Sequence, residues 1–331
     1  MDINRISSQE ITNLWAHYIR ETMAVCVSKY VLSCVKDSEI KKIYEFALKL
    51  SNQHIKILET IFTEEQFPIP KGFTDEDVHL NAPPLFSDNF WLTYLYGMSM
   101  HGSSLYSLSF NTSSRKDIRE FYYRCVNDTM DVYNNSIEVL ISKGLYEKAP
   151  FFSPPNKVKF ITSLGYVAGV FGNQRPLNIV ESGNIFFNLK KSSLQKGLTL
   201  GFSKVCKSKE IQKFMENGLK VITKHLGLFS SILTENNLHV PKSLDLEITD
   251  SSIAPFSDKL MLFHVGTLFN MAITYYTYAA ISSLRADLIV HCETAISRDF
   301  KILAQFTNLM IKNQWLEEPP IADDRMKTEN R

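Results

Sequence analysis

Apolar residues recur every three or four positions through long segments of the chain, which is the period of an amphipathic α-helix. In the first half, Ser7 followed by Glu10 predicts a capping box at the start of the first helix. Pro68 stops the second helix, and a polar turn at 111–114 separates the third helix from the fourth. The helices predicted from these signals cover residues 8–34, 38–66, 88–110 and 115–143.

The connection between the second and third predicted helices is much longer than the other two. It covers residues 67–87 and is rich in proline, glycine and aspartate. Connections that are short, long and short in that order distinguish ferritin-like bundles from simple up-and-down bundles. The pattern therefore predicts an all-α, ferritin-like four-helix bundle with a long crossover between its second and third helices.

The second half of the chain repeats this pattern. The motif KxxEIxK at 36–42 recurs at 207–213, an offset of 171 residues, and FSD at 86–88 recurs at 256–258, an offset of 170. Self-similarity at a fixed offset indicates a tandem duplication. The sequence predicts a first four-helix bundle at 1–146, an inter-bundle linker at 147–176, a second four-helix bundle at 177–318 and a polar tail at 319–331. The linker has an apolar patch at 160–171, so we expect it to be ordered and to join the two bundles.

Composition argues against several classes of protein. The formal net charge is +1 and no segment is strongly basic, so a surface for nucleic acid is not expected. The five cysteines lie far apart without C-x-x-C spacing, which argues against a zinc finger and a disulfide framework. Residues 260–284 carry no charge, but their histidine, asparagine and tyrosines suit a buried bundle helix better than a membrane span. The N-terminus lacks the apolar core of a signal peptide, so a cytoplasmic location is expected.

Three motifs connect the chain with a known group of proteins. They are GFTDEDV at 72–78, RPLN at 175–178 and WLEEPP at 315–320. With the tandem arrangement, they make the chain resemble a family of uncharacterised proteins from spore-forming bacilli, built of two ferritin-like repeats and in some members loosely labelled spore-coat-like. The resemblance implies a bacterial protein of the cytoplasm or the spore. It supplies no activity that can be assigned to particular residues.

A ferritin-like bundle raises the question of a di-iron centre. Such a centre needs Glu-x-x-His on two helices and a glutamate on each of the others. The only Glu-x-x-His of the chain, Glu76 to His79, falls in the predicted crossover. Three residues before His54 stands Ser51, and three residues before His225 stands Ile222, neither of them a carboxylate. The sequence therefore lacks the standard di-iron ligands.

A different polar set occupies the predicted core of the first bundle. Glu21, His54 and Asp128 fall at seam positions of the first, second and fourth helices, and His101 lies nearby on the third. A buried carboxylate needs a partner, because leaving it unpaired costs several kcal/mol. One hypothesis is a single transition metal held by these three side chains. The alternative is a metal-free buried pair of His54 with one acid.

The second copy favours that alternative. His225 repeats His54, whereas Ser192 replaces Glu21 and the counterpart of Asp128 falls near Ser297 or Arg298. The acids are therefore expected to be lost while the histidine is kept. A shared structural hydrogen bond explains this with fewer assumptions than a metal does. His101 and His225 remain candidates for accessory ligands.

Three functions are compatible with these observations. The favoured one is a non-enzymatic structural or interaction protein with unknown protein partners or self-association, and with no cofactor. The second is a metal-binding or oxidoreductase bundle with a degenerate site in the first repeat. The third is a bundle that holds a small apolar ligand where Ser99 and Gly102 leave room.

Overall fold

The architecture follows from a computed structural model, which describes residues 5–169 and 174–321. These residues form eight long α-helices in two sets of four. The first set comprises α1 (Ser8–Cys34), α2 (Ser38–Glu64), α3 (Asp88–Asn111) and α4 (Lys116–Ser142). The second set comprises α5 (Ile179–Val205), α6 (Lys209–Glu235), α7 (Asp258–Ser282) and α8 (Ala286–Lys312). The all-α fold and the two four-helix repeats predicted from the sequence are confirmed.

Polar side chains fix the start of each repeat. Ser7 caps α1 and Glu10 completes the predicted capping box, and Asn178 and Glu181 do the same for α5. The carboxylate of Glu10 also accepts hydrogen bonds from the backbone at the start of α4, and that of Glu181 accepts them at the start of α8. Each capping residue thus connects the first and last helices of its bundle.

The four helices of each repeat pack in the same way. In the first repeat α1 packs along α2, α3 packs along α4, and α2 and α4 close the bundle. The corresponding helices of the second repeat make the same contacts. In both repeats the long connection joins the second helix to the third, which confirms the predicted crossover.

The two crossovers pair with each other where the bundles meet. Val78 of the first crossover pairs with Phe256 of the second, and Phe86 pairs with Ile248. An offset of 170 residues maps each pair onto the other, so the repeats are related by a pseudo-two-fold axis. The Ser257 hydroxyl also donates to Asp77 Oδ1 at 2.6 Å across this junction.

A shared apolar core lies behind the crossovers. The ring of Phe86 packs 6.1 Å from that of Phe202 in the opposite bundle, and Phe256 packs 5.2 Å from Tyr30. At Gly201 the approach is so close that an added Cβ would lie 2.3 Å from the Phe86 ring. A continuous cluster of buried apolar residues includes side chains of both repeats. The two bundles are therefore packed directly against each other.

The linker contributes less to this packing than the sequence suggested. Residues 151–165 are exposed, including Phe160 and Leu164 of the predicted apolar patch. The end of the linker docks on the second bundle, where the Ala286 amide donates to the Val167 carbonyl at 3.0 Å. Part of the patch, residues 170–171, lies outside the described residues. The expectation that the linker joins the bundles is wrong for residues 151–165, because these residues are exposed and the bundles pack directly against each other.

The uncharged segment 260–284 forms α7 and the turn that follows it. Its side chains Leu260, Met261 and Val265 are fully buried in the protein core. Within residues 5–169 and 174–321, no helix combines the length and the apolarity that crossing a membrane requires.

Candidate metal centre

A single carboxylate lies at the centre of the polar cluster in the first bundle. Glu21 of α1 is 5% exposed, and its Oε1 atom meets three hydrogen-bond partners. His17 Nε2 lies at 2.9 Å, His54 Nδ1 at 2.9 Å, and the Tyr106 hydroxyl donates at 2.8 Å. Side chains from α1, α2 and α3 therefore converge on one oxygen atom.

The fourth helix completes the cluster. His54 Nε2 lies 3.1 Å from Oδ2 of Asp128, whose side chain is 34% exposed. The structure thus brings Glu21, His54 and Asp128 together, with His54 between the two acids. Asp128 lies at the solvent side of the cluster and Glu21 at the buried side.

Two further residues, absent from the set predicted from the sequence, belong to the cluster. Ligand atoms of His17, His54 and Cys125 all lie within 4.8 Å of one another, and all three residues are buried. His17 stands four residues before Glu21, a spacing that places both on one face of α1. Cys125 stands three residues before Asp128, a spacing that places both on one face of α4. Both spacings were visible in the sequence.

The surroundings fix the charges of these groups. Burial opposes ionisation of Glu21, but hydrogen bonds from His17 and His54 hold its pKa well below the usual range. Burial also opposes a charge on His54, but contacts with Cys125 and Glu21 outweigh it and raise the pKa of His54 to about 11. Burial lowers the pKa of His17 and raises that of the Cys125 thiol. Near neutral pH the cluster thus holds a Glu21 carboxylate, a His54 imidazolium, a neutral His17 and a Cys125 thiol.

A cavity of about 120 Å³ adjoins this cluster. Glu21, His54 and Tyr106 form its polar end, while Ser99 and Gly102 are the small residues in its wall. This is the position at which the sequence predicted free space. The cavity is large enough for several waters or a small ligand beside the polar groups.

The two accessory candidates lie elsewhere. His101 is half-buried on α3, and its ring lies 6.2 Å from that of Tyr275. Burial lowers the pKa of His101 to about 3, so it is neutral at physiological pH. His225 lies in the second bundle. Neither histidine contacts the cluster around Glu21.

The second bundle has a different set of residues at the equivalent positions. Asn188 stands in place of His17, Ser192 in place of Glu21, and Ala295 in place of Cys125. Ser192 Oγ lies 3.0 Å from the hydroxyl of Tyr276, the counterpart of Tyr106. The tyrosine contact is therefore kept, while three of the side chains that could bind a metal are replaced.

The expectation that the second bundle has no acid beside its histidine is wrong. Asp299 of α8 is 1% exposed, and its Oδ1 lies 3.7 Å from His225 Nδ1. Asp299 comes one residue after the position aligned with Asp128, so alignment of the repeats did not reveal it. Lys191 is also buried there, with its ammonium 4.0 Å from the centroid of the Tyr276 ring.

The charged groups of the second bundle lack close partners. Lys191 Nζ, His225 Nε2 and both carboxylate oxygens of Asp299 are buried and make no hydrogen bond to the described residues. Burial lowers the pKa of Lys191 and raises that of Asp299, and the attraction between these two groups only partly offsets burial. Unpaired buried charges of this kind reduce the stability of a fold.

Replacing both charged groups by apolar side chains should therefore stabilise the protein. We expect Lys191→Met combined with Asp299→Leu to raise the free energy of unfolding by about 1–4 kcal/mol, because the desolvation cost of two charges is removed. Urea unfolding followed by circular dichroism measures the change. Lys220→Met, at an exposed position of α6, should change stability by less than about 0.5 kcal/mol. A double variant less stable than the original protein would contradict the prediction.

Comparisons with known proteins add a family and a distant structural relative. No curated protein matches the sequence significantly. Among solved structures, a "putative spore coat protein" from Bacillus halodurans is similar over 45% of this chain and 96% of its own length, with 14% identity and a TM-score of 0.42. The family model described as "Protein of unknown function (DUF3231)" matches residues 3–158 and 166–327, one segment for each repeat. Since these segments cover nearly the whole chain, the protein belongs to the DUF3231 family.

Proposed function

We propose that the first bundle binds one divalent transition-metal ion, with His17, His54, Cys125 and Glu21 as ligands. The observation that carries the proposal is the convergence of three buried ligand side chains, whose donor atoms lie within 4.8 Å of one another. Glu21 Oε1 lies 2.9 Å from a nitrogen of each histidine and supplies a fourth donor.

The chemistry of these donors favours zinc. Imidazole, thiolate and carboxylate groups together suit Zn²⁺, which binds four ligands in a tetrahedron. With bonds of about 2.0 Å to nitrogen and about 2.3 Å to sulfur, neighbouring ligand atoms of a tetrahedral zinc site lie about 3.3–3.6 Å apart. The ligand atoms of His17, His54 and Cys125 would have to approach one another, and the Glu21 oxygen would have to move slightly away from the histidine nitrogens. Such rearrangements of side chains that already contact each other would complete the site.

The comparison of the two repeats supports a ligand role for three of the four side chains. The counterparts of His17, Glu21 and Cys125 in the second bundle are Asn188, Ser192 and Ala295. These three potential ligands are replaced together, while the fourth, His54, is kept as His225 and the tyrosine that contacts Glu21 is kept as Tyr276. A purely packing role would not require these three positions to differ together.

Metal binding at this site would be coupled to proton release. Ligating imidazole and thiolate must be deprotonated, so the ion displaces a proton from the His54 imidazolium and one from the Cys125 thiol. The affinity for the metal should therefore increase with pH. The released protons appear in calorimetry as a binding enthalpy that depends on the ionisation enthalpy of the buffer.

Elemental analysis of protein purified without chelators tests the proposal. We expect about one zinc ion per chain, and loss of that ion in Cys125→Ser and in His17→Gln because each removes a ligand. Cys206→Ser, at a half-buried position outside the cluster, is the matched control and should retain the metal. Equal, substoichiometric metal in all four proteins, also after incubation with zinc, would refute the site.

A metal-free structural or interaction role is the second candidate, and one observation favours it. Both nitrogens of His54 and one oxygen of Glu21 already have hydrogen-bond partners within the protein, so the cluster is stable without an ion. In this case the family resemblance suggests a non-enzymatic protein of the cytoplasm or the spore. The same experiment separates the candidates, since the variants would then lose stability without any change in metal content.

A further inference from the structure

Residues 151–165, between the two bundles, form an exposed apolar loop. Phe160 and Leu164 are 88% and 86% exposed, and Phe151 is 84% exposed. Single exposed apolar side chains are common, but a run of them in one short segment marks an interaction surface. The large apolar side chains of the loop, all of them exposed, are Phe151, Phe152, Val158, Phe160, Ile161 and Leu164.

Both ends of this loop are held by the second repeat. Before the loop, the Lys148 carbonyl accepts a hydrogen bond from His239 Nε2 at 3.0 Å. After the loop, the Val167 carbonyl accepts one from the Ala286 amide at 3.0 Å. Residues 151–162 make no backbone hydrogen bond to another part of the described chain. The loop is therefore presented to the outside from two fixed ends instead of being packed on a bundle.

The charges in and around the loop are positive. Lys157 and Lys159 alternate with the apolar Val158 and Phe160, and residues 148–180 contain no aspartate or glutamate. An anionic surface would attract these lysines without repulsion from a neighbouring acid. Basic side chains interspersed with exposed phenylalanine and leucine are typical of segments that bind to the surface of anionic membranes.

The backbone limits how deeply such a loop can enter a bilayer. Residues 151–163 lie outside any helix, and Pro154 and Pro155 cannot donate backbone hydrogen bonds. In hydrocarbon the peptide groups of this segment would have no partners, so the backbone must stay among the headgroups. The apolar side chains can still reach the upper acyl chains, while the long lysine side chains extend to the lipid phosphates. Contact of this kind requires no helix that spans the membrane.

We propose that the loop at 151–165 attaches the protein to the surface of membranes that contain anionic lipids. Phe151, Phe160 and Leu164 insert between the headgroups, and Lys157 and Lys159 bind to the lipid phosphates. The loop contributes no residue to the cluster around Glu21, so the proposal is independent of metal binding.

Co-sedimentation with lipid vesicles in the presence of EDTA tests this proposal. Vesicles of an equal mixture of phosphatidylcholine and phosphatidylglycerol are compared with vesicles of phosphatidylcholine alone. The original protein should bind the mixed vesicles more tightly, and added salt should weaken that binding because it screens the lysines.

Two double variants of the loop separate the contribution of charge from that of insertion. Lys157→Gln with Lys159→Gln should lower the affinity for mixed vesicles roughly 30-fold, because each lysine near an anionic surface contributes roughly fivefold. Phe151→Ser with Phe160→Ser should lower it roughly tenfold or more, because two inserted rings are lost.

Exposed residues elsewhere in the chain supply matched controls. Lys41→Gln with Lys42→Gln, on α2, removes two lysines, and Phe300→Ser, on α8, removes a phenylalanine ring. Both control proteins should bind mixed vesicles like the original protein. All of the replaced side chains are exposed, so every variant should remain folded, which circular dichroism verifies.

Each outcome decides the question. Preference for the mixed vesicles that is reduced in both loop variants and in neither control supports the proposal. Absence of binding to mixed vesicles, or equal binding by loop variants and controls, overturns it. Equal binding of the original protein to both kinds of vesicle overturns the assignment of an anionic surface. Self-association without vesicle binding, abolished by the two serine substitutions in the loop, would assign the loop to a contact between copies of the chain and also overturn the proposal.

Discussion

Replacing Glu21 by glutamine is expected to lower the free energy of unfolding by about 3–5 kcal/mol in mildly acidic solution, because it removes the buried counter-charge of the His54 imidazolium and leaves only the partly exposed Asp128. Glutamine keeps the shape of the side chain, so packing changes little. The effect should greatly exceed that of removing a charge at the surface, where ion pairs contribute about 0–1 kcal/mol.

The dependence of this effect on pH follows from the two pKa shifts. The pKa of His54 is raised to about 11, so its contribution to stability is complete below the unfolded value of about 6.5 and declines as the pH rises towards 11. The pKa of Glu21 is lowered, so its contribution is complete above the unfolded value of about 4.5 and is lost in more acidic solution. The ion pair therefore stabilises the protein most between about pH 4.5 and 6.5.

Urea unfolding at about pH 5.5 and about pH 9 measures the difference in the free energy of unfolding between the original protein and Glu21→Gln. We expect the difference to be larger at the lower pH. Glu45→Gln, at an exposed position of α2, is the matched control and should change stability by less than about 0.5 kcal/mol at both values. If Glu21→Gln destabilised the protein more at the higher pH than at the lower pH, His54 would be neutral in the folded protein.

Local signals in the sequence predicted the helices because each signal acts within a few residues. The capping boxes at Ser7 and Asn178 and the proline after α2 specify helix ends without reference to the rest of the chain. The predicted first helix ends at residue 34, as α1 does. Duplication then extended the helix predictions from one half of the protein to the other.

The packing between the bundles could not be predicted in this way. Val78 and Phe256, or Phe86 and Phe202, lie more than one hundred residues apart, and no periodicity connects them. The sequence did contain one relevant pattern, because the FSD motif ends both crossovers. A repeated motif in a connection can indicate a symmetric contact, but which surface it contacts depends on the tertiary fold.

The polar clusters show where alignment of repeats helps and where it misleads. Seam positions identified Glu21, His54 and Asp128, which the structure brings together. Seam position alone did not add Cys125 to this set, because a cysteine on an apolar helix face is usually a core residue. In the second bundle, Asp299 is displaced by one position along α8, which still leaves its carboxylate buried beside His225. Counterparts should therefore be searched within one residue of the aligned position.

Replacing Phe86 by alanine is the second change for which we expect a large effect. It should weaken the coupling that makes the two bundles unfold together. Phe86 is 1% exposed, stacks on Phe90 at 4.2 Å and packs against Phe202 of the opposite bundle. Removing a buried phenylalanine ring typically costs about 3–5 kcal/mol, because contacts are lost and a cavity remains. Here the cavity lies between the bundles, so we expect one unfolding transition for the original protein and two for the variant.

Circular dichroism and tryptophan fluorescence, measured on the same urea series, test whether the two bundles unfold separately. Coincident transitions by both methods indicate that the bundles unfold together, and non-coincident ones indicate that they unfold independently. Phe300→Ala, at an exposed position of α8, removes the same ring without opening a cavity and should leave the transitions coincident. If Phe86→Ala lowered stability but kept one coincident transition, the β-bridges between the crossovers and the remaining shared core would be sufficient to couple the bundles. The expected two transitions would instead assign most of the coupling to the aromatic contacts that the crossovers make with the opposite bundle.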